Sequence, residues 1–231
     1  MSWIINTLTS TIGRKVIMAL TGLFLILFLA VHLAGNLQLL HDDGGEAFNT
    51  YSQFMAHNPL IQLVSKGNFF FIFLHIFVSL TLYVRNKKAR PIGYKVSSGS
   101  SNSSWSSRSM ALLGTFIMIF IFLHLYGYWY QLKFVGEPII SMVTIDGVSM
   151  HNAYALVANS YTNPLIVGFY VFAMIVLGFH LWHGFSSAFQ SLGLNHPKYN
   201  GIISGLGKLY AIIVPALFAL IPIYMYLNNA G

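Results

Sequence analysis

Five apolar stretches long enough to cross a bilayer run through this chain, and four of them each carry a histidine well inside: His32, His75, His124 and His180. Hydrocarbon is a poor solvent for imidazole, so a histidine placed there needs a partner and marks a candidate functional site. About 20 helical residues span roughly 30 Å of hydrocarbon. By that measure the spans are Val16–Leu39, Leu60–Val84, Met110–Leu132, Pro164–Phe189 and Leu206–Leu227. Only 7% of the 231 residues are charged, against about a quarter in a soluble domain, so the chain cannot clothe a water-facing surface. Helices satisfy every backbone polar group within one segment, which is what lipid demands. The expectation is an all-α polytopic membrane protein, one bundle of five transmembrane helices formed by residues 1–231.

Charge placement orients the bundle. With the N-terminus on the cytoplasmic side, the inner segments hold Arg14, Lys15, Arg85, Lys87, Lys88, Arg90, Lys95, Arg108, Lys198 and Lys208, and the outer ones only Lys66 and Lys133. This bias follows the positive-inside rule. The acids Asp42, Asp43, Glu46, Glu137 and Asp146 all fall on the outer side. The C-terminus then lies outside. The net charge of +7 thus reflects membrane topology rather than a nucleic-acid footprint, and the basic run from Arg85 to Arg90 is a topology determinant before it is a docking surface for a partner or anionic lipid. The apolar run after Arg14 and Lys15 is too long for a signal peptide and reads as a retained helix. Trp3–Ile12 reads as a short interfacial helix. Serine fills nine of the thirteen positions in Ser97–Ser109, a composition expected to be flexible. Short surface helices are expected near Glu46–Ala56 and Met150–Asn159.

Depth sorts the histidines into two tiers. At about 1.5 Å per residue, His32 lies roughly 24 Å from the inner boundary at Val16, and His124 roughly 21 Å from Met110. His75 and His180 each lie about 15 Å from the inner side. His32 with His124 forms an outer tier, and His75 with His180 an inner one. Bis-histidine haem b suits such pairs, because iron takes two axial nitrogens from opposite faces of a flat apolar disc that packs between helices. His183, three residues after His180, competes as the fourth ligand, and otherwise serves a propionate or a backbone carbonyl. Arg14, Lys15 and Arg108 are placed to meet inner propionates. Small residues near the ligands, Ala34, Gly35, Gly127, Gly178 and Gly184, give room for a disc or simply for close helix packing. His41, His57, His151 and His196 read as solvated loop side chains.

Other chemistries find little footing. Zinc wants four ligands, and no acid lies inside a span to complete such a set. The absence of cysteine removes disulfides, thiolate-bound clusters and covalently attached haem. There is no Walker loop, dinucleotide fingerprint, nucleophile elbow or HExxH. Ala19, Thr21 and Gly22 read as a packing face, and Tyr126, Tyr128, Trp129 and Tyr130 as an interfacial aromatic belt.

Seven stretches, Gly13–Gly22, Val31–Asn36, Gly45–Asn49, Leu74–His75, Ser107–Met110, Leu123–Leu125 and Gly178–Phe185, together with the order and spacing of the four histidines, resemble the diheme cytochrome b anchor of succinate:quinone oxidoreductases, the type with one five-helix subunit. The resemblance implies two haems b, a distal one on His32 and His124 and a proximal one on His75 and His180. It further implies a flavoprotein and an iron–sulfur subunit on the cytoplasmic side of a bacterial inner membrane, in a succinate dehydrogenase or fumarate reductase complex of possible higher oligomeric order. Quinone, expected to be menaquinone, would exchange electrons near the outer face, with Glu46 as its proton donor or acceptor. Some relatives carry a buried glutamate beside the fourth ligand, where this chain has Leu177, Gly178 and Phe179. A diheme cytochrome of a hydrogenase or formate dehydrogenase would share the same ligand pattern. A haem-free proton-coupled transporter is disfavoured by the lack of intramembrane acids and inverted repeats.

Overall fold

A computed structural model describes residues 2–89, 103–137 and 139–229; Arg90, Lys95 and the serines up to residue 101 lie outside the described residues. Five helices are long and apolar enough to cross a membrane. They are α2 (Thr11–Asn36), α4 (Pro59–Lys88), α6 (Met110–His124, continuing to Val135), α8 (Pro164–Ser191) and α9 (Pro197–Asn229). Shorter helices are α1 (Ser2–Thr9), α3 (Glu46–His57), α5 (Trp105–Arg108) and α7 (Ala153–Ser160).

Local chemistry explains where the long helices begin. Ser10 separates α1 from α2, its Oγ accepting the Gly13 N–H at 3.0 Å, an N-cap that starts the first span five residues before Val16. Asn58 and Asn163 cap α4 and α8 through their side chains, each followed by proline at the first helical position, where the missing N–H costs nothing. The last span starts at Pro197, not Leu206, because His196 Nδ1 accepts the Lys198 N–H at 3.2 Å. That cap carries the helix through Gly201, Gly205 and Gly207. The serine-rich segment is not wholly irregular: Ser104 caps the α5 turn by accepting the Ser107 N–H, and Ser106 is buried.

The core belongs to α2, α8 and α9. Leu33, Val167, Val214, Ile221 and Met225 form the main apolar cluster with Leu39, Val157 and Tyr161. Ile26, Leu181 and Ala211 form a second. The Tyr210 hydroxyl of α9 donates to the Ile26 carbonyl of α2. Pro215 has no N–H for the Ala211 carbonyl four residues back, and Gly178 of α8 lies against that oxygen, where a Cβ would sit 3.1 Å from it. A Cβ on Gly207 would meet Phe185 Cδ1 at 2.7 Å. Gly207→Ala is therefore expected to cost about 1–3 kcal/mol through overpacking, read as a lowered midpoint of thermal unfolding in detergent.

Helices α4 and α6 are peripheral. Along α4 the exposed residues Phe70, Phe73, Phe77 and Leu80 form one stripe, and Asn68 and Val78 are its buried residues. In α6 only Leu113 is fully buried. Beyond His124 this helix widens into π-helical turns over Leu125–Val135, which turns Tyr128 inward while Tyr126 and Tyr130 stack on each other outside. Trp129 packs on Phe69 of α4 at 5.0 Å.

A cap covers the outer ends of the spans. Asp43 accepts the N–H groups of Gly45 and Ala47 and so starts α3. The Ala47 N–H, ahead of the other contacts, holds the Asp43 carboxyl below the usual carboxylate range. A two-stranded hairpin, β1 (Met142–Ile145) with β2 (Val148–His151), corrects the expected surface helix from Met150. Its Asp146-Gly147 turn has positive φ at both residues, the geometry of a tight hairpin. Helix begins only at Ala153. Asn49, 2% exposed, joins α3 to α7 by donating to Asn152 Oδ1 at 3.1 Å and accepting the Tyr154 N–H at 2.9 Å.

Candidate functional site

The four span histidines come together in two facing pairs. His32 of α2 and His124 of α6 have ring centroids 5.9 Å apart, with planes at 88°. His75 of α4 and His180 of α8 are 6.5 Å apart, with planes at 69°. Each pair therefore joins one core helix to one peripheral helix. His183 is partly exposed, and it is His180 whose ring opposes His75. His41, His57, His151 and His196 are exposed.

The four rings differ in what their Nδ1 atoms meet. His75 Nδ1 lies 3.0 Å from Thr21 Oγ1. That hydroxyl already donates to the Ile17 carbonyl at 2.8 Å, so its lone pairs are left to accept the His75 proton. His124 Nδ1 lies 3.3 Å from the Tyr170 hydroxyl. Asn36 donates to the His32 carbonyl at 2.8 Å, and the same amide nitrogen lies 3.4 Å from His32 Nδ1. His180 Nδ1 is buried without a partner. Among the described residues no hydrogen bond is made by any of the four Nε2 atoms.

These residues fit axial ligation of haem iron. Imidazole nitrogens bound at about 2 Å on opposite sides of one metal place the ring centroids roughly 6 Å apart. The two pairs have centroid separations of 5.9 and 6.5 Å. Glycine faces the inner pair on both sides: Gly22 would bring a Cβ to 3.4 Å from His75 Cε1, and Gly114 to 4.0 Å from His180 Cε1. The glycines singled out from sequence behave differently, since Gly127 and Gly184 meet nothing within 4 Å, while Gly35 and Gly178 serve helix packing. Among the described residues no group of three or more histidines and acids forms a zinc-type set. The outer rings lie in an aromatic sleeve, with Phe28 stacked on His32, Phe120 on His124 and Phe218 beside His32.

The cations separate. Arg14 has a buried Nη1 with no partner, two helical turns from Thr21 on the same face of α2. A buried guanidinium N–H needs an acceptor, and a carboxylate at the inner edge would supply it. Lys15 is exposed, and Arg108 is exposed with its guanidinium donating to Ser103. Asn68 Oδ1 is also buried without a partner, on α4 two turns outward of His75.

Glu46 opens α3 and lines an outer cleft of about 740 Å³ with Gln38, Asp43, Tyr51 and Asp146. Tyr51 packs over Gly35, one turn from His32, and burial raises its phenol above the ordinary range. The cleft thus sits next to the outer pair.

Gly114 and Tyr170 have no role in the sequence analysis, and Thr21 and Gly22 have only that of a packing face. A hydroxyl and a glycine one helical level from a histidine are a usable signal, but their rotation about the helix axis has to be known before they can be paired. Tyr128 leaves the aromatic belt and joins Tyr161 and Tyr170 in a buried cluster. Burial, reinforced by Tyr128 and Tyr170, pushes the Tyr161 phenol well above its ordinary range, so it stays protonated. Compared with known proteins, the chain matches no family model, no curated protein and no solved structure.

Proposed function

We propose that this chain is the membrane anchor and electron-transfer subunit of a succinate:quinone oxidoreductase, a diheme cytochrome b that carries electrons between an iron–sulfur subunit and quinone, expected to be menaquinone. The observation that carries this reading is the meeting of four histidines from four helices as two facing pairs at two levels. His32 and His124 would hold the outer haem, and His75 and His180 the inner one. When bound, the haems supply reversible one-electron chemistry. The aromatic sleeve around the outer rings excludes water, and Arg14 offers donors to a carboxylate at the inner edge. Glu46, exposed in its cleft one layer outside His32, is the proton donor or acceptor for quinone. The excess of inner lysine and arginine supports a cytoplasmic N-terminus in a bacterial inner membrane. It also supports docking of the flavoprotein and iron–sulfur partners, which hold the succinate site, on that face.

Two measurements test this. Purified protein is expected to show a b-type α-band in its reduced-minus-oxidised spectrum, with about two haems per chain by pyridine haemochrome assay. No band would end the reading. A tagged chain purified from its native membrane is expected to bring a flavin-containing subunit, and succinate to reduce its haem. Haem reduction by hydrogen or formate instead would assign the anchor to another dehydrogenase.

A further inference from the structure

The two core helices exchange roles between the tiers. At the inner level α2 supplies Thr21, which touches the ring of His75 from peripheral α4, while α8 supplies the facing ligand His180. At the outer level α2 supplies the ligand His32, while α8 supplies Tyr170, which touches the ring of His124 from peripheral α6. Tyr170 precedes His180 by ten residues and Thr21 precedes His32 by eleven, so each helix serves two levels about 15 Å apart. In both cases the contact is a hydroxyl at Nδ1 of the histidine that arrives on the peripheral helix. The core histidines lack such a contact: His180 Nδ1 has no partner, and His32 has only the long approach of Asn36 from its own helix.

We infer that Thr21 and Tyr170 are matched positioning residues that accept the Nδ1 protons of His75 and His124 and thereby present Nε2 of each as a bare ligand nitrogen. The inference rests on the two-haem reading. For Thr21 the direction follows from its own proton, which is committed to the Ile17 carbonyl at 2.8 Å. For Tyr170, whose ring packs among Tyr128 and Tyr161, the same direction is part of the proposal: its hydroxyl accepts from His124 Nδ1. An imidazole whose Nδ1–H is held by an acceptor is a more basic ligand, and a more basic ligand favours ferric over ferrous iron. The peripheral histidine is then the stronger base of each pair, and its orientation is set by a helix other than its own.

The test is a potentiometric titration of the haem bands, with low-temperature electron paramagnetic resonance, on full-length wild-type, Thr21→Val, Thr21→Ser and Tyr170→Phe proteins in native membranes. Thr21→Val is expected to shift the inner centre toward the ferrous state by several-fold to about tenfold in the redox equilibrium, where tenfold is about 59 mV for one electron. It should leave the outer centre unmoved. Tyr170→Phe should do the same to the outer centre alone. The resonance of the affected centre should change as its ring loses a fixed orientation, and Thr21→Ser should restore the wild-type values. If Thr21→Val loses the inner haem outright, restoration of haem and potential by Thr21→Ser supports the inference, and failure to restore overturns it. Haem retained with both potentials unmoved overturns it and leaves the two-haem reading standing. Equal shifts in both centres, or a shift toward the ferric state, also overturn it. Wild-type protein without haem would instead remove the reading beneath.

Discussion

If the two-haem proposal holds, replacing His124 with alanine is expected to remove the outer haem and leave the inner one, halving the b-type α-band per mole of protein. The reason is geometric. The outer pair joins α2 to α6 through rings 5.9 Å apart, and alanine leaves His32 without the imidazole that faces it. The inner pair stands on α4 and α8, and the Thr21 contact that orients it lies eleven residues from His32, roughly 16 Å along α2. Nothing in the inner pair packs on His124. His32→Ala should give the same result, and His75→Ala or His180→Ala the converse, with loss of the inner centre. His183→Ala should keep both haems, because its ring does not oppose His75. Two distinct midpoint potentials in wild type, one lost in each variant, would complete the assignment. Equal loss from both tiers in any single variant would refute the pairing.

The second large effect is structural and lies outside the spans. Asn49 is buried between α3 and α7, donating to Asn152 and accepting from the Tyr154 amide. Asn49→Leu keeps the volume but takes away both hydrogen bonds. The Tyr154 N–H is then left without its acceptor in a buried setting, while Asn152 Oδ1 keeps the Ala155 N–H. A buried donor stripped of its partner costs about 1–3 kcal/mol, and the lost second bond raises the total to roughly 2–4 kcal/mol. The expected result is a lower unfolding midpoint and faster proteolysis near residues 140–160, with the inner haem spectrum unchanged. Because Tyr161 closes α7 and packs in the cluster with Leu33 and Val167, the outer haem band should broaden before it is lost. Wild-type protease resistance would show that the hairpin, not Asn49, holds the cap.

Much of this was legible in the residues. The five apolar runs appear as five long helices, and the histidines meet as depth along each helix anticipated, because helical rise is regular enough for residue counting to give height. Counting gives only height, however. Rotation about the axis decided the rest. Thr21 read as a packing residue until α4 was seen to bring His75 beside it, and Tyr128 read as interfacial until the π-helical turns after His124 swung it inward. The start of α9 at Pro197 was hidden because Gly201, Gly205 and Gly207 lower helix propensity, while the cap from His196 that offsets them is a matter of side-chain geometry. The hairpin is a different case. Asp146-Gly147 between Ile145 and Val148 is a strong hairpin signal, one that the expected surface helix from Met150 leaves out of account.

The division between core and peripheral helices bears on how such a subunit is assembled. Leu33, Leu181, Ala211 and Val214 join α2, α8 and α9 by apolar packing, whereas α4 and α6 contribute few fully buried residues, although Phe71 of α4 packs on Phe24 of α2. Each of those two helices instead carries one half of a histidine pair whose other half is already fixed in the core. A group that binds both halves is a cross-link between helices, stabilising the closed bundle by its own affinity for the folded state. On the two-haem reading, cofactor insertion would tighten the docking of α4 on α8 and of α6 on α2.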